Sequence, residues 1–85
     1  MRDFKLRSQK VVAAFATSFL SEGYVFVTKM ESVAFMFYKL HHRSNGNTII
    51  IKAVPLQNRL IMEKNGVKKI DTTILNPHGE TLHQY

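Results

Sequence analysis

Two apolar runs joined by an Asn-Gly pair constrain this chain more than any other feature. Residues 33–54 read VAFMFYKLHHRSNGNTIIIKAV, aromatic and β-branched stretches linked by Ser44-Asn45-Gly46-Asn47. Asn-Gly between such runs signals a β-hairpin, because a type I′ turn needs φ > 0 at both central residues. With Asn45 and Gly46 as the two turn residues, Leu40 faces Ile51, Lys39 faces Lys52, Tyr38 faces Ala53 and Phe37 faces Val54. Side chains alternate across a strand, so one face carries Ala34, Met36, Tyr38, Leu40, Ile49, Ile51 and Ala53. The other carries Val33, Phe35, Phe37, Lys39, His41, Ile50, Lys52 and Val54. A sheet with one wet side alternates apolar with polar, whereas here both sides are apolar over most of their length. Both faces therefore need a cover.

Only one substantial helix fits ahead of the hairpin, over residues 8–22. Val12, Phe15, Ala16 and Phe19 recur at i, i+3, i+4 and i+7, widened by Val11 and Leu20, with Gln9, Lys10, Ala13, Thr17 and Ser21 opposite. Ser8 is the expected N-cap and Gly23 the residue just past the end; Asp3 is an alternative, earlier cap that would place Phe4 and Arg7 on the helix. Arg2, Lys5, Arg7 and Lys10 followed by VVAAFA also have the layout of a short secretory signal, with small residues at Ala14 and Ala16. The same residues supply the long helical pattern the sheet needs, and are read as helix with solvated cations.

The remaining chain reads as strands. Residues 24–30 form the first, and Glu31-Ser32 turns into the central hairpin. Pro55 ends the ladder and 56–58 connect onward. A second hairpin follows, 59–64 and 67–74 around Asn65-Gly66, in which Ile61 faces Ile70 and Glu63 faces Lys68. Residues 76–85, with Pro77 and Gly79, read as a tail or an edge extension. The expected fold is α+β: one N-terminal amphipathic helix packed on a mostly antiparallel sheet of about five strands, a meander of hairpins in a single domain over 1–85.

Chemical motifs are sparse. His41-His42-Arg43 stands at the hairpin tip, but adjacent strand residues point to opposite faces and cannot share a metal without help from His78, His83 or a carboxylate. Imidazole and guanidinium could also cleave RNA, but no partner acid has a marked spacing. There is no phosphate-binding glycine loop and no carboxylate pair at helical spacing. The expectation is a non-enzyme with no cofactor and no metal.

The second hairpin face is the candidate site: Phe35, Phe37, Lys39, His41 and Lys52, with Arg43 extending it at the tip. Twelve Lys and Arg against six Asp and Glu leave a net charge of +6, a surplus that favours polyanions. Rings beside ammonium groups hold single-stranded RNA or DNA by stacking and phosphate contact. The same residues serve equally as an apolar patch covered by another chain, or as core beneath the chain's own ends. The primary expectation is a protein–protein contact, as a homodimer or as an inhibitor or adaptor on a larger protein, with nucleic acid second. No apolar run approaches the roughly 20 residues that cross a bilayer, so no membrane contact is expected. The absence of cysteine suits a reducing, cytoplasmic setting.

Overall fold

The computed structural model describes residues 2–75, with side chains from residue 7 onward. The order is α1 (Arg2–Ser18), a 3-10 turn (Phe19–Glu22), β1 (Tyr24–Met30), β2 (Met36–His42), β3 (Thr48–Val54), a second 3-10 turn (Pro55–Gln57), β4 (Arg59–Lys64) and β5 (Val67–Thr73). The strands lie in one sheet in chain order, each neighbouring pair antiparallel. This is the expected α+β meander under one helix. Residues 76–85, expected as a tail or edge extension, lie outside the described residues.

The helix starts earlier than the Ser8 cap predicts. Ser8 lies inside α1, fully buried at 0% exposure beside Val12 and Ala16, and its Oγ has no hydrogen-bond partner among the described residues. The stripe one turn apart, 8-12-16, is what the sheet buries, so a residue that looks like a cap is the polar end of the apolar stripe. At the other end Gly23 terminates the helix as its position implies. Its φ is +98°, and its N–H donates to the Leu20 carbonyl at 3.2 Å.

That helix end is clipped to the tip of the central hairpin. The His42 ring accepts N–H groups of Ser44 (3.1 Å) and Asn45 (3.3 Å) at Nδ1, which leaves Nε2 to donate to the Glu22 carbonyl at 2.9 Å. The Arg43 N–H donates to the Gly23 carbonyl at 2.9 Å. A Cβ on Gly23 would sit 2.6 Å from His42 Nε2. The glycine is required here for both its conformation and its lack of a side chain.

Strand register departs from expectation in two places, each with a local cause. In β2–β3 the partners are Leu40↔Ile49, Lys39↔Ile50, Tyr38↔Ile51 and Phe37↔Lys52, two residues away from the predicted pairing. The loop is four residues, 43–46, closed by the His42 N–H on the Asn47 carbonyl at 2.8 Å, with Asn45 Oδ1 accepting the Asn47 N–H instead of Asn45 adopting positive φ. A two-residue shift keeps every side chain on its face. At Asn65-Gly66 both residues do have positive φ, 53° and 82°, and Glu63 faces Lys68 as predicted. Beyond it a bulge at Lys69 puts Met62, not Ile61, opposite Ile70, and Ile61 opposite Asp71.

Met36, Tyr38, Leu40, Ile49, Ile51, Ala53 and Leu60 face α1 and are 0–2% exposed. Ala34 was expected among them but is exposed, because β2 begins at Met36; Ser32 Oγ brackets Phe35, accepting its N–H and donating to its carbonyl. Asn58 closes the far end of the core. Its side chain bonds the Leu75 N–H (2.8 Å) and carbonyl (2.7 Å), holding Ile74 and Leu75 buried. Tyr38 is buried to its hydroxyl, which donates to the Glu31 carboxylate. Burial first, then that hydrogen bond and the Glu31 charge, hold the phenol well above its ordinary value.

Two outcomes test this packing. Ser8→Ala removes a buried, unsatisfied hydroxyl and should stabilise the fold by about 1 kcal/mol, while Gly23→Ala should destabilise it by about 1–3 kcal/mol; urea midpoints measure both. A phenol proton held more tightly in the folded state contributes stability in full below the unfolded tyrosine value of about 10, lost as pH rises above it. The stability of the native chain should therefore fall more steeply with alkaline pH than that of Tyr38→Phe; parallel curves would contradict the Tyr38–Glu31 bond.

Candidate interaction face

On the side of the sheet away from α1, Phe37, Ile50, Lys52, Val54 and Ile61 are half-buried and Lys39, His41, Arg59 and Lys68 are exposed. Strand pairing sets the surface out in rows. One row runs Met30, Phe37, Lys52, Ile61, Asp71, and the next runs Thr28, Lys39, Ile50, Glu63, Lys68. A third starts with Val25, His41 and Thr48. Phe35, from the connection before β2, lies against Phe37 with ring centroids 6.3 Å apart and planes 21° from parallel. Phe35 is 39% and Met30 53% exposed, large apolar groups left in water beside each other.

The predicted site residues thus divide along the strands. Phe35, Phe37 and Lys52 come together at one end with Met30 and Ile61. Lys39 and His41 are exposed further along β2. Arg43 stands in the tip loop, six residues past Phe37 and roughly 20 Å from it at strand spacing, so it does not join the aromatic pair. His42 faces the helix end. Among the described residues no group of three or more His, Asp or Glu is placed to hold a metal; His78 and His83 lie outside them.

The charges are arranged differently from expectation. Lys39 opposes Ile50 and Thr28, so the like-charge pair with Lys52 does not exist. Lys52 reaches Glu63 at 3.7 Å. Arg59 grips Asp71 with two bonds, Nη2 at 2.8 Å and Nε at 3.1 Å, and Lys68 lies 3.5 Å from the same carboxylate. The Arg59 hydrogen bond is the main cause holding the Asp71 carboxyl below the usual range; desolvation opposes it, and the Arg59 and Lys68 charges assist. Three of the four Lys and Arg on this face therefore already have carboxylate partners, leaving Lys39 as the exception. Exposed pairs of this kind add little stability, but they neutralise the surface they occupy.

Met30, Ile61, Glu63, Arg59 and Asp71 belong to this face and were not singled out from sequence. The alternation in Arg59-Leu60-Ile61-Met62-Glu63 marks the β4 members; the bulge at Lys69 hides the β5 ones, because it breaks the period of two.

No protein-family model, curated protein or solved structure matches this chain. Among the described residues no helix is long and apolar enough to cross a membrane.

The ion pairs make a checkable statement about polyanions. Glu63→Gln with Asp71→Asn frees Lys52, Arg59 and Lys68, so the double variant should bind a short labelled single-stranded RNA more tightly than the native chain, with the log–log salt slope steeper by about 2. Identical titrations for the two proteins would show that the carboxylates do not shield this face.

Proposed function

We propose that this protein is a non-catalytic binding module that acts through protein–protein contact on the open sheet face, with a second copy of the chain as its partner. The observation that carries the reading is the stacked Phe35–Phe37 pair on the side of the sheet away from α1, where Phe35 and Met30 are exposed and Phe37 is half-buried. Exposed apolar clusters of this kind on small proteins mark contact surfaces. The internal ion pairs favour protein over nucleic acid, since phosphate would have to displace Glu63 and Asp71 from their cations. The two carboxylates, Glu63 and Asp71, also lower the repulsion that a second copy of the same face would meet, because they offset two of the four cations it carries.

The edges favour stacking of faces over pairing of edges. β1 and β5 are the outer strands. Each carries a bulge, at Val27 and at Lys69, and β5 adds exposed Lys68 and Lys69. Bulges and lysines on an edge block continuation of the ladder. Five strands of about seven residues offer roughly 550 Å² in projection, which places a face-to-face pair at the small, reversible end of specific interfaces. The proposal carries with it a cytoplasmic setting, which a chain without cysteine suits.

Sedimentation equilibrium at two concentrations, about tenfold below and above the micromolar range, should show mass rising toward twice the monomer. Phe37→Asp should return it to monomer with unchanged far-UV circular dichroism, while Lys39→Ala leaves association intact. A native chain that stays monomeric throughout overturns the homodimer. Salt-sensitive RNA binding lost in Phe37→Ala would instead assign the face to nucleic acid.

A further inference from the structure

α1 packs on β2 and on the Pro55–Gln57 turn, and the 3-10 turn that follows it packs on β1. On its own side it leaves a wedge over the tips of β3, β4 and β5. That wedge is a cleft of about 380 Å³. Its walls are Phe15, Phe19, Tyr24, Ile49, Met62 and Ile70, and its rim holds Lys64, Lys69, Ser18 and Glu22.

Charge here is the reverse of the open face. Lys52, Arg59 and Lys68 have carboxylate partners, whereas Lys64 and Lys69 form neither an ion pair nor a hydrogen bond with any described residue. Lys64 reaches the rim because it pairs with buried Ile49 on the helix side of the sheet. Lys69 reaches it because the β5 bulge turns it there beside Ile70. Two unpaired ammonium groups over an apolar floor, with one carboxylate, Glu22, at the opposite wall, recognise a single negative charge on a greasy body. The volume lies near the bottom of the range for small-molecule sites, roughly 300–1,000 Å³, which suits a short chain or one ring and not a nucleotide cofactor.

We propose that this cleft binds a free amphiphilic carboxylate of medium chain length, its tail between Phe19, Met62 and Ile70 and its head between Lys64 and Lys69. The site is on the opposite side of the sheet from the association face, so its test is independent of oligomeric state. The probe is decanoate below its micellar concentration, with decanol as the uncharged counterpart, followed through side-chain methyl resonances of the full chain. Decanoate should titrate Ile49, Met62 and Ile70 saturably with one-to-one stoichiometry, at least tenfold more tightly than decanol. Lys64→Ala with Lys69→Ala should abolish that preference while leaving decanol affinity unchanged, which shows the variant still folds around an intact cleft. Lys39→Ala should change nothing.

Equal affinity for decanoate and decanol in the native chain overturns the proposal, as do shifts confined to Ile50, Val54 and Ile61 on the other face. Failure to saturate overturns it too. Nuclear Overhauser contacts from Met62 or Ile70 to residues 76–85 in the free protein would give the cleft to the chain's own C-terminal stretch and would likewise overturn it. Binding only to phosphatidylglycerol vesicles, without saturable uptake of monomeric decanoate, would move the ligand from a free carboxylate to a lipid surface and refute the site as stated.

Discussion

A helix some 10–12 Å across has to cover a five-stranded sheet roughly 24 Å wide, and it cannot. That mismatch of areas governs the rest of the structure. α1 seals the middle of one side through Ser8, Val12 and Ala16 against Tyr38, Leu40 and Ile51. Among the described residues it leaves the other side of the sheet without a helix and, on its own side, a wedge over the tips of β3, β4 and β5. A chain of 85 residues has one core and little surplus apolar surface with which to close either. The open side still exposes Met30 and Phe35 beside a half-buried Phe37, and Phe19 lines the wedge half-buried.

The placement of charge follows from the same geometry once the two sides are distinguished. Opposite charges on adjacent strands of the open side fall within reach of each other, as Lys52 and Glu63 do, or Arg59 and Asp71. Lys64 and Lys69 cannot take part, since one is on the helix side by alternation and the other is diverted there by a bulge. A net charge of +6 read from composition says that cations outnumber anions. Only the pairing pattern says which of them still seek a partner.

Much of this was legible before any coordinates. Two Asn-Gly pairs and the alternation around them define the strands, and the 12-15-16-19 stripe defines the helix, because burial imposes those periods. The faces of the central hairpin survived a register error, since the four-residue loop shifts the pairing by two and two is the period of the pleat. What failed were features that local pattern cannot carry. A serine before an apolar stripe looks like a cap whether it begins the helix or is buried within it. A bulge leaves no mark in the identities of Lys68, Lys69 and Ile70. The rings of Phe35 and Phe37 were legible as a candidate surface; the carboxylates near them, Glu63 and Asp71, come from β4 and β5 and had to be placed by the fold.

Stability and binding are consequently linked in this protein. Any molecule that covers Phe35 and Phe37, or fills the wedge beside Phe19, binds only the folded chain and raises its stability in proportion to occupancy. The clip of His42 and Arg43 onto Glu22 and Gly23 bears on both surfaces at once. It fixes the end of the helix that forms one wall of the cleft, and it anchors the tip of β2, whose alternate residues Phe37, Lys39 and His41 lie on the open side. The conformational demand at Gly23 is thus a condition of the exposed surfaces as much as of the core, because each of them is a leftover whose shape depends on where that single helix stops.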